Sequence, residues 1–282
     1  MKSVELKNVS KKYDDFELKN ISFAIEEGTI MGLIGENGAG KTTIIKAILS
    51  ILNYDGEILV FGDKLNVENK QYINAVLDDI FLSEYLNAKE IDSILSGIYK
   101  NWDSSYFFEL VEKFGLSRTK SMKDFSKGMR VKLKIATALS SKPRLLILDE
   151  PTSGLDPVVR DEILDILLEF VEDEKNSILI SSHITTDLEK IADYITYVEK
   201  GELIFSKDKY ELLENYGVLR CSEEDFKNIE KSFIERYKIN KYNTEALINN
   251  TDEFKAGYSN MVVDKLELDE MMVFYAKGEK MN

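Results

Sequence analysis

Residues 30–49 read IMGLIGENGAGKTTIIKAIL, an apolar run followed by a glycine-rich stretch and then a second apolar run suited to a helix. Within them, residues 35–42 fit the pattern GxxxxGK followed by Ser or Thr, which between a strand and a helix is typical of a phosphate-binding loop. The glycines let successive backbone N–H groups and the positive helix end surround a phosphate, while Lys41 neutralises its oxygens. Thr42 adds a hydroxyl for Mg²⁺. The segment therefore predicts a nucleoside triphosphate site, although it does not separate a kinase, a GTPase and an ATPase.

Composition narrows the class of protein. Of the 282 residues, 44% are hydrophobic and 31% are charged, as expected for a soluble globular chain with one large domain and a smaller one. No apolar run approaches the roughly 20 residues that cross a bilayer, and the first residues lack the apolar core of a signal peptide, so we expect a cytoplasmic location. The net charge of -14 argues against broad electrostatic binding to nucleic acid. The single cysteine, Cys221, excludes an internal disulfide and is interpreted as a small, partly buried hydrophobe.

Hydrophobic periodicity predicts the order of the elements. Alternating apolar residues at 4–9 and 21–25 favour antiparallel strands with one face in water. Helical spacing from about residue 84 to 140 indicates a helical subdomain. The continuous apolar runs Leu145–Leu148 and Ile178–Ile180 suit strands of a parallel sheet that is buried on both faces, with a crossover helix at 158–171 between them.

The pattern of predicted elements changes after Gly201, and residues 206–282 are predicted to form a small α+β appendage. Its expected elements are a short helix at 210–216, a strand at 218–221, an amphipathic helix from Ser222 to Tyr237 with Ser222 as its N-cap, and a last helix at 266–275.

Two carboxylates end the apolar run at 145–148. In α/β sheets such strand ends face the ligand crevice, so Asp149 is placed to hold the Mg²⁺ shell through water. Glu150, one residue further, is placed to orient and deprotonate an attacking water. The alternative is a solvated acidic turn, which the upstream phosphate loop makes the weaker interpretation.

Three further motifs complete a set in a fixed order, namely FSKGMR at 125–130, PTSGLD at 151–156 and SSH at 181–183. With them the sequence resembles the ATP-binding subunits of ABC transporters over about residues 1–205. The fold class implied is α/β, a P-loop NTPase core with a parallel sheet, an N-terminal antiparallel β subdomain and a helical subdomain at about 84–140, followed by the appendage at 206–282. The resemblance implies ATP and Mg²⁺ as cofactors. The implied contacts around the phosphates are Gly35, Asn37, Gly38, Ala39, Gly40, Lys41, Thr42 and Thr43.

In this family two subunits face each other head to tail, with each ATP between the phosphate loop of one and the signature motif of the other. The resemblance therefore implies that Ser126 and Gly128 contact the γ-phosphate across the interface, with Ser126 also capping the following helix. The usual motif reads LSGGQ, so Lys127 and Met129 depart from it, and Lys127 could add charge near the nucleotide. Asp156 matches the loop through which the two sites sense each other; its simpler role is to cap the helix that begins at Pro157.

The remaining matches concern single side chains. His183, the only histidine, stands at the position of the family's switch histidine, which contacts the γ-phosphate. Tyr13 stands where the family places an aromatic ring on adenine; packing on its own sheet is the alternative. Asp78 falls at the position of the usual loop glutamine that links nucleotide to membrane subunit. A carboxylate could reach Mg²⁺ through water but cannot donate a hydrogen bond, and Asp79 is the alternative register.

The sequence thus predicts an ATPase subunit that powers transport through separate membrane subunits and lies peripherally on the inner face of the membrane. The working dimer is either homomeric or formed with a second ATPase subunit. The motif SKGM at 126–129 and the C-terminal stretch 265–275 resemble the bacterial exporter branch associated with antimicrobial peptides and bacitracin-type resistance. The alternative is a soluble ABC ATPase that acts on the ribosome or DNA, and a kinase would share only the phosphate loop.

Overall fold

The computed structural model describes residues 1–77 and 83–281. Two compact units divide the chain, the first spanning Met1–Ser206 and the second beginning at Lys207. In the described ranges, no helix combines the length and the apolar character that crossing a membrane requires.

The first unit is built on one large sheet in the order β4-β1-β2-β9-β8-β3-β7-β6-β5. Its strands are β1 (Lys2–Lys12), β2 (Glu17–Glu26), β3 (Ile30–Ile34), β4 (Asp55–Val60), β5 (Ile73–Val76), β6 (Leu145–Asp149), β7 (Ser177–Ser181), β8 (Tyr194–Glu199) and β9 (Glu202–Asp208). Strand β1 pairs antiparallel with β2 and β4, whereas β5, β6, β7, β3 and β8 pair in parallel. Both sheet predictions are confirmed. Every residue of β3, β6 and β7 is buried, which explains why these strands read as continuous apolar runs.

The helices after the phosphate loop, within residues 84–140 and at the crossover lie where the sequence predicted them, whereas α6 was not predicted, and side chains fix several of the helix starts. They are α1 (Lys41–Ile48), α2 (Ala88–Leu95), α3 (Ser104–Lys113), α4 (Lys127–Ser140), α5 (Pro157–Val171) and α6 (Thr185–Ile191). Asn87 and Glu90 form a capping box at α2, Asp103 caps α3, and Ser126 caps α4. Because α5 connects parallel strands β6 and β7, it is the expected crossover helix.

The second unit contains a four-stranded antiparallel sheet in the order β11-β12-β10-β13. The strands are β10 (Tyr216–Cys221), β11 (Ile234–Ile239), β12 (Thr244–Asn249) and β13 (Val263–Lys265), and the helices are α7 (Lys209–Asn215), α8 (Glu223–Lys227), α9 (Thr251–Gly257) and α10 (Leu268–Lys277). From β10 to β13 the chain runs β-α-β-β-α-β, the split β-α-β arrangement of ferredoxin-like domains. Cys221 is partly buried, as predicted.

One helix prediction in this unit is wrong. Ser222 does cap a helix, since its Oγ accepts the Asp225 N–H at 3.0 Å, but that helix ends at Lys227 rather than Tyr237. The strand β11 follows and pairs with β12. Phe226 and Tyr237 reach the same apolar core, one from the helix and one from the strand, so their spacing imitated a single helical face. Pairing with the next strand along the chain, β12, overrode the helical pattern.

Candidate nucleotide site

The carboxyl ends of three adjacent parallel strands bring the predicted motifs together. The glycine-rich loop follows β3, Asp149 ends β6, and Ser181 ends β7, with these strands in the order β3-β7-β6. Since ligands of open α/β sheets bind at this edge, the topology alone places the loop and the carboxylates around one crevice.

The loop at 35–42 is shaped by glycines that no other residue would replace freely. Gly38 and Gly40 have φ angles of +83° and +113°, in the region that favours glycine. A Cβ on Gly40 would lie 2.9 Å from Phe16 Cζ, whereas Gly38 faces open space. Lys41 is 6% exposed, and its Nζ donates to the Gly35 carbonyl oxygen at 2.8 Å. The loop therefore combines an open backbone face with a lysine that lines the cleft, as phosphate binding requires.

Asp149 lies between two hydroxyl groups. Thr42 Oγ1 donates to Asp149 Oδ2 at 2.8 Å, and Ser181 Oγ donates to Asp149 Oδ1 at 2.5 Å. Among residues 1–77 and 83–281, no three His, Cys, Asp or Glu side chains group as a metal site. A cation here would take its other ligands from phosphate and water, the arrangement that Mg²⁺ prefers. Thr42 and Asp149 thus fit Mg²⁺, with Ser181 as a supporting residue that the sequence did not reveal.

Glu150 is held in an unusual backbone conformation with its carboxylate between two partners. Its φ is +51°, in a region that residues other than glycine visit rarely and that is associated with functional sites. The Glu150 N–H donates to Ser181, at 3.1 Å to both the carbonyl oxygen and Oγ. Oε2 contacts His183 Nδ1 at 2.5 Å, and Oε1 lies 3.5 Å from Lys41 Nζ. The structure therefore brings Glu150, His183 and Lys41 into one cluster.

A cleft of about 540 Å³ lies in front of the loop. Its lining includes Tyr13, Phe16, Asn37, Gly38, Gly40, Lys41, Thr42, Thr43, Asp149 and Glu150. The Tyr13 side chain is 44% exposed, with its ring centroid 6.4 Å from that of Phe16. Sequence reasoning missed Phe16, although an aromatic residue three positions after Tyr13 was a readable signal.

The signature segment lies apart from this cleft. Of the described residues that line the cleft around Lys41, none belongs to 126–129. Ser126 Oγ accepts the Met129 N–H at 3.3 Å, which confirms its capping role. A Cβ on Gly128 would lie 3.1 Å from Val159 Cγ1, so this glycine also permits close packing of α4 on α5. Within one chain, therefore, these residues do not join Lys41.

Lys127 is different, because it lines a neighbouring cavity of about 250 Å³ together with Glu150 and His183. Its Nζ would lie 2.9 Å from a Cβ on Gly154, whose φ is +66°. The segment 125–130 and the loop at 151–156 are therefore packed directly on each other.

The last two predicted residues have simpler outcomes. Asp156 caps α5, since its Oδ1 accepts the N–H groups of Val158 and Val159 at 3.1 Å each. Asp78, with its alternative Asp79, lies outside the described residues.

Comparison with known proteins gives consistent matches. Residues 18–153 match the family model described as ABC transporter. The chain is 34% identical to the ABC transporter ATP-binding protein YtrB of Bacillus subtilis, over 76% of this chain and 74% of that protein. It is also 34% identical to the lantibiotic transport ATP-binding protein SrtF of Streptococcus pyogenes, over 75% of this chain and 93% of that protein. A solved ATP-binding subunit of an ABC transporter superposes with a TM-score of 0.66 and 26% identity, covering 75% of this chain and 92% of that one.

Proposed function

This chain belongs to the family of ABC transporter ATP-binding proteins, and we propose that it hydrolyses ATP to drive transport through separate membrane subunits. The family that the motif order predicted is confirmed by these matches. Proteins of this family bind ATP and are ATPases in general. The observation that carries the proposed hydrolysis is the position of Glu150, whose carboxylate lies beside His183 and Lys41 at the edge where Thr42 contacts Asp149.

Each group of residues in the cleft has a separate role in the proposed hydrolysis. The backbone N–H groups of 37–43 and the ammonium of Lys41 bind the phosphates. Thr42 and Asp149 would hold Mg²⁺, which would supply positive charge to the phosphate oxygens. Glu150 accepts the proton of the attacking water at its carboxylate, and His183 orients that carboxylate through the 2.5 Å contact. Tyr13, at the mouth of the cleft, stacks on the adenine ring.

The signature segment acts in this proposal on a second subunit. Ser126 and Gly128 are absent from the cleft of their own chain as far as the structure describes it, which supports a role toward the nucleotide of a facing subunit. Asp156, exposed at the start of α5, belongs to the same interface. ATP closes the dimer and hydrolysis reopens it. Homomeric and heteromeric dimers both satisfy this geometry.

A membrane subunit would dock beside β5. An apolar cleft of about 370 Å³ opens there, lined by Leu49, Ile51, Leu65, Ile73, Leu77 and Tyr99 among others. Leu77, which directly precedes Asp78 in the chain, is one of the lining residues, so the docked subunit would touch the chain next to Asp78. The apolar lining suits a partner helix with one apolar face.

The proposed cargo is peptide or another hydrophobic compound, and the proposed direction is export. Both rest on the SKGM motif and on the similarity to SrtF, whose name assigns it to lantibiotic transport.

The test is to isolate a tagged Glu150→Gln variant, with ATP, from detergent-solubilised native membranes and to identify what accompanies it. A multi-span membrane protein in stoichiometric amount is the expected result, and wild-type protein without ATP is the control. Recovery from the soluble fraction with ribosomes or DNA would instead favour a soluble ABC ATPase.

A further inference from the structure

The loop at 151–156, which follows Glu150, is tied to the helix that follows His183. Thr152 is fully buried, and its Oγ1 donates to Asp187 Oδ2 at 2.7 Å. Asp187 is 2% exposed and lies in the first turn of α6, four residues after His183. A buried carboxylate is costly unless it is paired or hydrogen-bonded. The hydroxyl of Thr152 supplies one of the hydrogen bonds that the Asp187 carboxylate needs.

Asp187 also faces a cation on a third segment. Arg160 of α5 has its Nη1 3.7 Å from Asp187 Oδ1, and its Nε is buried with no hydrogen-bond partner within the described residues. The Arg160 N–H donates to the Asp156 carbonyl oxygen, at the end of the same loop. Asp187 therefore connects α6 with the beginning of the loop at 151–156 through Thr152 and with α5 through Arg160.

Helix α6 is in turn fixed to the strand that enters the phosphate loop. Leu188, next to Asp187, is fully buried, and a Cβ on Gly32 of β3 would lie only 3.0 Å from Leu188 Cδ1. The turn between His183 and α6 is closed by the Ile184 N–H, which donates to Ser182 Oγ at 2.9 Å. A continuous series of contacts thus runs from the turn after His183 through α6 to Asp187 and Thr152.

We propose that Asp187 is a positioning residue that, through the hydroxyl of Thr152, sets the loop at 151–156 and keeps Glu150 in register with His183. The inference deepens the proposed ATPase function and rests on it. Holding α5 against α6 does not by itself require Asp187, because Lys190 of α6 already binds Asp161 and Asp165 of α5 at 2.6 and 2.8 Å.

The test compares variants of the full chain that differ by one polar group. Thr152→Val removes the hydroxyl and keeps the shape, Thr152→Ser keeps the hydroxyl, and Lys190→Gln breaks the exposed α5–α6 ion pairs without touching the loop. Thr152→Ala, which adds no methyl group to the buried space, replaces Thr152→Val if that variant does not fold. Each is measured by steady-state ATPase assay and by the NMR resonances of the imidazole of His183, the only histidine.

Thr152→Val should lower kcat about tenfold or more, with KM for ATP changed less than about twofold, because a small misplacement of catalytic groups costs rate rather than binding. It should also shift the His183 resonances in nucleotide-free protein. Thr152→Ser should restore both, and Lys190→Gln should alter neither. Unchanged kcat and unchanged His183 resonances in Thr152→Val would overturn the proposal, even if its Tm falls. If the wild-type chain proves not to be an ATPase, the resonance measurement still decides the Asp187–Thr152 coupling by itself.

Discussion

Replacing Glu150 with Gln separates proton transfer from nucleotide binding at this site. The substitution keeps the size of the side chain and removes both its charge and its basicity. In the structure it replaces the carboxylate that contacts His183 Nδ1 at 2.5 Å with an uncharged amide and removes the attraction to Lys41 Nζ at 3.5 Å. The backbone bonds to Ser181 do not depend on the side chain and should keep the loop in place.

The expected loss of rate follows from the role of a general base. Such a group contributes about 10²- to 10⁴-fold, so kcat should fall by this factor, or about 3–5 kcal/mol in activation free energy. Affinity for ATP should not fall. Opposite charges 3.5 Å apart attract by a few kcal/mol at an intermediate dielectric constant, and the Glu150 side chain is about one quarter exposed. Its neutralisation leaves Lys41 freer to bind phosphate.

The assay pairs steady-state phosphate release with equilibrium binding of a fluorescent ATP analogue. Glu36→Gln is the matched control, because Glu36 lines the same cleft and the change is chemically identical. The control should keep its ATPase rate within about threefold. Unchanged turnover in Glu150→Gln would refute the assignment of the base, and loss of ATP binding together with turnover would refute the separation of the two roles.

Three other substitutions test separate parts of the structure. Thr42→Val should raise the Mg²⁺ concentration needed for ATP binding, whereas Thr42→Ser should not, as titration with MgCl₂ would show. Gly128→Ala should cost about 1–3 kcal/mol by urea unfolding, because its Cβ would crowd Val159, and Val159→Ala should restore the stability; no rescue would contradict the packing role. Burial and the neighbouring carboxylate of Glu235 raise the pKa of Tyr275 well above its usual value. The neutral phenol is thus favoured in the folded state, so the free energy of unfolding should fall as pH rises above about 10. Tyr275→Phe should make that fall smaller, as thermal denaturation across this pH range would show.

Short-range pattern was enough to predict the phosphate loop and the strand-end carboxylates. Residues 30–49 predict a buried strand, a glycine turn and a helix within one contiguous segment. Asp149 ends a second buried strand and Glu150 follows it directly. Parallel strands present their carboxyl ends at one edge, so the convergence of these motifs followed from the fold class. The caps at Ser126 and Asp156 are equally local, since each side chain bonds an N–H two or three residues away.

Contacts between distant segments were beyond such reasoning. Thr152 donates a hydrogen bond to Asp187, 35 residues away, and Phe16 packs against Gly40. No periodic pattern in the sequence indicates either contact. The predicted helix from Ser222 to Tyr237 was wrong for a different reason: β11 is stabilised by pairing with the next strand, β12, and helical spacing alone does not reveal that pairing.

The sequence by itself therefore determined which chemical groups the site contains, because these groups lie in contiguous motifs whose geometry is imposed locally by a strand, turn or helix. Tertiary structure decided which groups face each other once the chain has folded. It alone placed the Glu150 carboxylate between His183 and Lys41 and the Asp149 carboxylate between Thr42 and Ser181, because these contacts depend on the order of strands in the sheet.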